Sequence, residues 1–252
     1  MDGQPRFVKS PNLPEAGLKL AAVGEAYASE IGRALTLYGV ELLVCPKNPA
    51  VDARLSSHID LSVFHLGENS FFLSKHAAES SFASELRRIG AEISVSEESF
   101  APVYPGDAFL CALSAGGKVF HNTKFTDRTL KSRLADRLVH VAQGYAKCAV
   151  CLLTESAAMS ADRGMISALR ACGMDVLEIS RGFIGLEGFA EGFIGGAAFK
   201  IAPDILAFTG TLERCAGRRE IEAFLQKHGI HPVYLTDRPL FDLGSVIPIL
   251  EK

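Results

Sequence analysis

KCAVCLLTESAAMSADRGMISALRACGMDVLEIS, residues Lys147–Ser180, predicts a strand, a tight turn, a second strand, a helix and a third strand. Cys148–Leu153 is the first apolar run, and the chain turns back after it. Met165 and Leu169 then recur at helical spacing. Gly173 ends the helix, because a residue without a Cβ enters the left-handed conformation at little cost.

The same order of elements recurs along the chain. Aligning the apolar runs gives one opening residue for each first strand, at intervals of 40–48 residues: Asp60, Asp107, Lys147, Gly195 and Asp242. A steady period of this length indicates a repeat architecture. The alignment also places Phe64, Cys111, Cys151 and Phe199 at one equivalent core position.

The two ends of the chain complete one further copy. Residues 18–45 supply a helix and strands without a hairpin start, and residues 241–250 supply a strand start without a helix. Joined, they close a ring, which leaves no strand edge or apolar end face exposed. We therefore predict a single domain, 1–252, with these modules: 18–45 plus 241–250; 58–97; 107–142; 147–180; 195–237.

Composition excludes several classes of function. Hydrophobic residues make up 48% of the 252 residues and charged residues 22%, as in an ordinary globular protein. The net charge of −3 gives no case for a nucleic-acid partner, and no apolar run predicts a membrane span. The polar start, residues 1–14, predicts an irregular lead-in rather than a signal peptide. Six cysteines without such a signal favour reduced thiols in the cytoplasm, and a homodimer is compatible with the sequence.

Three stretches carry a resemblance to a known superfamily: QGYAKCAVC (Gln143–Cys151), GFIGGAAFKIAPDILAFTG (Gly192–Gly210) and FDLGSVIPIL (Phe241–Leu250). Together with the five closed repeats, they resemble the pentein superfamily of guanidino-group-modifying enzymes, and look closest to an uncharacterised bacterial branch of it. The resemblance implies an α/β fold, the pentein β/α-propeller, in which five ββαβ repeats have pseudo-fivefold symmetry. Its members include deiminases and amidinotransferases, and also the non-enzymatic ribosome anti-association factor.

The resemblance also implies a ligand pit where the first strands open around a central channel. Residues at or near these openings are then expected to bind a small polar, guanidino- or amino-acid-like ligand, with no cofactor and no metal: Asp107, Lys147, Gly195, Gly196, Asp242 and Ser245. Carboxylates in an enclosed pit suit a guanidinium because each accepts paired N–H donors. An equally weighted alternative is that these acids cap strand ends and bond to loop amides or to Lys147.

The family's enzymes use a cysteine nucleophile in a glycine-rich stretch near the C-terminus. The corresponding stretch here contains Ser245 and no cysteine, and a serine hydroxyl is a poor substitute for a thiol without an activating base. Two interpretations follow: a non-catalytic binding protein that resembles the anti-association factor, or a hydrolase or deiminase with its nucleophile on another strand.

Cys148 is the candidate for a relocated nucleophile. The charge of Lys147 would favour its thiolate. His58 and Asp60 would project to one face of an extended chain and act as proton carrier and orienting carboxylate. The competing interpretation, more common for a free cysteine on an apolar strand, is a small core residue.

Two other features invite a functional interpretation. The spacing Cys148-x-x-Cys151 is typical of metal or redox motifs, but residues three apart on a strand point to opposite faces, so we expect no metal there. The irregular connection Arg181–Glu191 is a candidate lid over the pit, in which Arg181 or Glu187 reaches a ligand. The simpler alternative is a linker.

Overall fold

Five small sheets make up the fold of the computed structural model, which describes residues 4–252. Four of them have three strands each, in which an antiparallel hairpin is followed by a helix and a strand parallel to the hairpin's second strand. The fifth sheet has four strands and combines both ends of the chain. The predicted α/β fold of five ββαβ repeats is confirmed.

The elements follow one another in module order. The first module contains β1 (Arg6–Phe7), β2 (Leu18–Gly24), a 3-10 turn (Glu25–Tyr27), α1 (Ala28–Thr36) and β3 (Glu41–Cys45). The second contains α2 (Ile59–Ser62), β4 (Val63–Gly67), β5 (Ser70–Leu73), α3 (Lys75–Ala78), α4 (Ser81–Arg88) and β6 (Glu92–Val95). The third contains β7 (Leu113–Ala115), β8 (Lys118–His121), α5 (Arg128–Arg133) and β9 (Leu138–His140).

The remaining modules repeat the same order. The fourth contains α6 (Ala146–Ala149), β10 (Val150–Thr154), β11 (Ala157–Ser160), α7 (Arg163–Ala171) and β12 (Asp175–Glu178). The fifth contains α8 (Ile194–Ala197), β13 (Ala198–Ala202), β14 (Ile205–Phe208), α9 (Arg218–Lys227) and β15 (His231–Tyr234), and β16 (Ile247–Glu251) ends the chain. Within residues 4–252, no helix has the length and apolar character needed to cross a bilayer.

The ring closes through β16. This strand pairs antiparallel with β2, placing Ile247 opposite Ala22, and on its other side with β1. Hydrophobic clusters lie between consecutive modules, and one of them joins the fifth module to the first by packing Phe199 and Leu235 against Val23. The C-terminal strand therefore completes the N-terminal module, as predicted.

The openings of the first strands differ from the prediction. Asp60, Lys147 and Gly195 lie in the single helical turns α2, α6 and α8, and the predicted strand Cys148–Leu153 begins only at Val150. These turns pack backbone against backbone, since a Cβ on Gly195 would lie 2.5 Å from the carbonyl oxygen of Lys147. A helical turn of four residues is not stable by itself. We infer that the close approach of the neighbouring module stabilises the helical conformation of these turns.

The N-terminal segment is more ordered than an irregular lead-in. Residues 1–3 of the predicted lead-in lie outside the described residues, but Arg6–Phe7 forms β1, and the amide of Val8 donates to the carbonyl of Ile249. Asn12 adopts a left-handed conformation (φ 70°) and lines a small gap next to Asp60 and Lys147. The segment thus covers this gap.

Lys200, on β13, is a buried cation for which we predict a stability cost. Burial lowers the pKa of this amine to about 8, and its Nζ donates to the carbonyl of Pro203. The unfolded chain therefore binds more protons between about pH 8 and 10.4, so this group's contribution to stability rises with pH in that window. Lys200→Met should raise the free energy of unfolding at pH 7 by about 1 kcal/mol.

Urea unfolding at pH 7 and pH 10 measures this effect as the difference between variant and wild type. The advantage of Lys200→Met should shrink at pH 10, where the wild-type amine is neutral. Lys118→Met, at an exposed position, is the matched control and should show no such pH dependence. An equal advantage at both pH values would contradict the prediction.

Candidate active site

A cavity of about 290 Å³ is lined by residues of α2 and α6 and by the connection Arg181–Glu191. Its buried base is formed by Leu55, His58, Leu61, Cys148 and Asp242. Its more exposed wall and rim are formed by Tyr145, Arg181, Leu186, Phe189, Ala190, Glu191 and Phe193. The connection Arg181–Glu191, which was predicted as a candidate lid, therefore borders the cavity.

The three predicted catalytic residues come together beside this cavity: His58 and Cys148 line its base, whereas Asp60 lies next to them and borders the small gap near Asn12. The Cys148 thiol donates to Asp60 Oδ2 over 2.5 Å, and one ligand atom from each of His58, Asp60 and Cys148 lies within 4.8 Å of the others. His58 Nε2 and Asp60 Oδ1 are buried without a hydrogen-bond partner among the described residues. Because buried polar atoms are nearly always bonded, these two point to a ligand or water between them.

A direct backbone contact brings His58 into place. Gly244 is left-handed (φ 73°), and a Cβ there would lie 2.3 Å from the Cα, Cβ and Cγ atoms of His58. His58 precedes α2 in an extended conformation, whereas Asp60 lies within that helical turn. The two side chains therefore converge through a helical turn rather than through the predicted alternation along an extended chain.

Gly244→Ala should destabilise the protein strongly. The added methyl group combines a left-handed backbone with a clash against the main chain of His58, and together these should cost about 3 kcal/mol. Gly229→Ala is the matched control, because Gly229 is also left-handed (φ 68°) but has open space around it, so about 1 kcal/mol is expected. Equal losses in chemical denaturation would show that the contact with His58 is unimportant.

Cys111 belongs to the same site, although the sequence alignment made it a core equivalent of Cys151. Its thiol lies 3.5 Å from Asp60 Oδ2, and it packs with Cys148. The third hairpin lacks the register shift that the fourth hairpin has near its turn, so it is shorter. In the pairing with the second strand, Leu113 therefore occupies the position that Cys151 has in the fourth module, and Cys111 does not. An alignment of the modules on their turns, with Gly116 and Gly117 as the turn of the third hairpin, would have revealed that Cys111 is not the equivalent of Cys151.

The resting site holds its thiols in the neutral form. The hydrogen-bonding thiol of Cys111, burial and the charge of Asp60 together raise the pKa of Cys148 well above its usual value. Burial likewise raises the pKa of Cys111 and of Asp60. The expectation that Lys147 would favour a thiolate at Cys148 is therefore wrong. A cation bound beside Asp60 would oppose the charge effect and lower the pKa of Cys148.

Asp242 is the second carboxylate at the cavity base. Its oxygens accept the backbone N–H groups of Phe193 and Gly244, both over 2.8 Å, which fixes its orientation. A Cβ on Gly196 would lie 1.8 Å from Asp242 Oδ1. Gly195 and Gly196 do not line the cavity; the absence of a side chain on Gly196 makes room for Asp242.

Lys147 and Ser245 form a buried pair beside the cavity rather than in it. Lys147 Nζ donates to Ser245 Oγ over 2.6 Å and to the carbonyl of Gly195 over 3.4 Å. Neither side chain lines the cavity. Ser245 has a left-handed backbone (φ 75°) and is fully buried. Its hydroxyl therefore contacts Lys147 and does not face the cavity.

Asp107 is also set back from the cavity. Its Oδ2 accepts a hydrogen bond from the Tyr145 hydroxyl over 2.7 Å, and Tyr145 itself lines the cavity. Burial raises the pKa of both groups, and the carboxylate adds to the increase for the tyrosine. Asp107 therefore orients Tyr145, a residue that the sequence alone did not single out.

The three predicted catalytic residues also offer ligand atoms that a transition metal accepts. His58, Asp60 and Cys148 offer nitrogen, oxygen and sulfur donors close enough to share one ion such as Zn²⁺. Cys151 is not part of this group, since it packs in the core between the fourth and fifth modules. The Cys148-x-x-Cys151 spacing thus joins a cavity residue to a core residue.

The sequence matches a protein family over residues 22–247: the family of unknown function DUF6873. The chain belongs to DUF6873. The match extends from β2 to the start of β16 and so includes all five modules. A comparison with curated proteins finds no match to this DUF6873 chain.

Solved structures show that this DUF6873 member has the pentein fold. It is similar to the inosamine-phosphate amidinotransferase of Streptomyces griseus, with a TM-score of 0.60, 13% identity and 97% of each chain covered. It is similar to an amidinotransferase from Microseira wollei in the saxitoxin biosynthetic pathway (TM-score 0.56, 11% identity, 90% and 91% covered). It is also similar to DDAH from Pseudomonas aeruginosa in complex with citrulline (TM-score 0.54, 11% identity, 86% and 92% covered). At these identities the similarity establishes the fold alone.

Proposed function

We propose that the cavity binds a small cation with a guanidinium or amidinium group, and that the chain hydrolyses this group. The observation that carries the proposal is the meeting of Cys148, His58 and Asp60 within 4.8 Å, with His58 and Cys148 at the base of the cavity and Asp60 hydrogen-bonded to Cys148. Guanidino compounds are also the kind of substrate named for several similar structures, among them an agmatine deiminase from C. jejuni.

Each polar residue of the base, together with Asp60 beside it, has a role in this reaction. Asp60 and Asp242 accept the N–H groups of the planar cation and so place its central carbon near Cys148 Sγ. The sulfur adds to that carbon, and ammonia leaves with a proton delivered by His58. Water then adds to the thiouronium carbon and the thiol leaves. The overall reaction converts a guanidinium and water into a ureido product and ammonium.

Substrate binding itself activates the nucleophile in this scheme. The resting thiol is neutral because Cys111, burial and Asp60 raise its pKa. A cation against Asp60 stabilises the thiolate, and a ring nitrogen of His58, which lies within 4.8 Å of the sulfur, takes up the released proton. The free protein is thereby protected from unproductive alkylation, since the thiolate forms only with the substrate bound.

The test is product analysis with a panel of guanidino and amidino compounds. We expect release of ammonia together with a ureido product from a guanidine or an amide from an amidine, and a covalent adduct on Cys148 detectable by mass spectrometry after acid quenching. Absence of product and adduct with every compound would remove the catalytic proposal.

The raised pKa of Cys148 favours a second candidate, a non-catalytic binding protein. Cations would then raise the melting temperature of the protein without forming a product. We infer a reducing cytoplasm as the location for either function, a placement supported by the six free cysteines of the chain.

A further inference from the structure

The cavity changes character from its base to its rim. The polar groups of His58, Cys148 and Asp242 lie in the buried base, where a cationic head would sit. Leu55 and Leu61 flank these polar groups in the base, and apolar side chains also dominate the wall between the base and solvent: Leu186, Phe189, Ala190 and Phe193. When the cationic head of a ligand reaches Cys148, the rest of the ligand therefore contacts the apolar side chains of the wall.

The cations at the rim already have partners. Among the described residues that line the cavity, Arg181 is the one arginine or lysine, and its guanidinium is bonded to Glu191. Arg54, behind the rim, donates to Asp52 and to the carbonyl of Gly188, and its guanidinium stacks 4.4 Å from the Phe189 ring centroid.

An α-carboxylate would find poor surroundings in this cavity. It would have to displace Glu191 from Arg181 or lie unpaired against apolar side chains, and burying an unpaired carboxylate is strongly unfavourable. Its charge would also be repelled by Glu191, by Asp242 in the base and by Asp60 beside the base. An apolar chain faces neither cost and removes its own surface from water.

We propose that the substrate is an alkyl- or arylguanidine (or the corresponding amidine) with an apolar body and no carboxylate, and that free arginine is discriminated against. This inference rests on the proposed function of the same site and specifies its substrate class. Arg54 fixes the backbone at Gly188 and one face of Phe189, and so holds the apolar wall in place.

Two ligands with the same head test this discrimination by isothermal titration calorimetry with the full chain. Butylguanidine and arginine share the guanidinium and the first methylene groups, but arginine ends in a zwitterion. We expect butylguanidine to bind at least 10-fold more tightly than arginine. Arginine binding as tightly as butylguanidine, or more tightly, would overturn the inference and leave the guanidinium-binding proposal standing. Binding of neither would overturn the proposed function and the inference with it.

Two rim variants test the cause of the discrimination. Phe189→Ala removes part of the apolar wall and should weaken butylguanidine binding severalfold while changing arginine binding little. Glu191→Gln releases the guanidinium of Arg181 and should raise arginine affinity at least fivefold, with little effect on butylguanidine. If Phe189→Ala weakened the binding of both ligands equally, the role of Phe189 as an apolar wall would be contradicted. If Glu191→Gln changed the affinity for both ligands equally, the role of the Arg181–Glu191 pair in excluding a carboxylate would be contradicted. Melting temperatures of both variants show whether they are folded.

Discussion

Cys148→Ala is expected to lower the rate of ammonia release from a guanidino substrate by roughly 10³-fold or more, to the level of background. The reason is that the Cys148 sulfur forms the covalent intermediate, and Cys111, the other thiol beside Asp60, does not line the cavity. The substrate cation should still bind, because Asp60 and Asp242 remain. The measurement is product release under saturating substrate, with binding followed separately by calorimetry.

Two further cysteine variants make this test specific. Cys172→Ser alters an exposed thiol that does not line the cavity and should leave the rate unchanged. Cys111→Ser keeps a hydrogen-bonding group beside Cys148 and should change the pH dependence of the rate more than its maximum. If Cys148→Ala retains the wild-type rate, covalent catalysis by this thiol is excluded, whatever the other variants do.

The ring was predictable because its information is spread over the whole chain. Each module repeats an apolar hairpin, a helix ended by glycine and an apolar strand, so errors at single residues do not change the period. Closure was predictable for the same reason. Residues 18–45 lack a hairpin start and Phe241–Leu250 lacks a helix, and β16 indeed pairs with β2.

The helical turns α2, α6 and α8, which precede the first strands of their modules, were not predictable because they are short. A helical turn such as Ala146–Ala149 contains too few residues to show a helical period, and an isolated turn of this length is unstable. It exists because Lys147 donates its amide to the carbonyl of Cys111 and because Gly195 allows the backbone of the next module to approach. Those contacts are made by residues distant in sequence.

The composition of the site was partly predictable for a related reason. Cys148, His58 and Asp60 could be selected because each is a reactive residue type at the opening of a module. Cys111 was misplaced by a hairpin that is shorter than its equivalents, and Tyr145 was overlooked because only its hydrogen bond to Asp107 directs it to the cavity. Local hairpin geometry and long-range hydrogen bonds are features that apolar periodicity does not report.

Asp60→Asn is expected to change thiol reactivity and turnover in opposite directions. The negative charge of Asp60 is one of the causes that raise the pKa of Cys148, so removing it should lower that pKa. Cys148 should then react faster with iodoacetamide at pH 7 than it does in the wild type. Turnover of a guanidino substrate should nevertheless fall roughly 100-fold, because the cation loses a carboxylate that positions it against the sulfur.

Asp107→Asn is the matched control for this experiment. It makes the same change in a carboxyl group that contacts Tyr145 rather than Cys148, so alkylation of Cys148 should change little. Both variants are compared in the Cys172→Ser background, which removes the exposed thiol from the alkylation assay. A general loss of structure would lower turnover but would expose several buried cysteines together. Faster alkylation confined to Cys148, combined with slower turnover, therefore isolates the role of Asp60 as the group that binds the cation and suppresses the thiolate until the cation arrives.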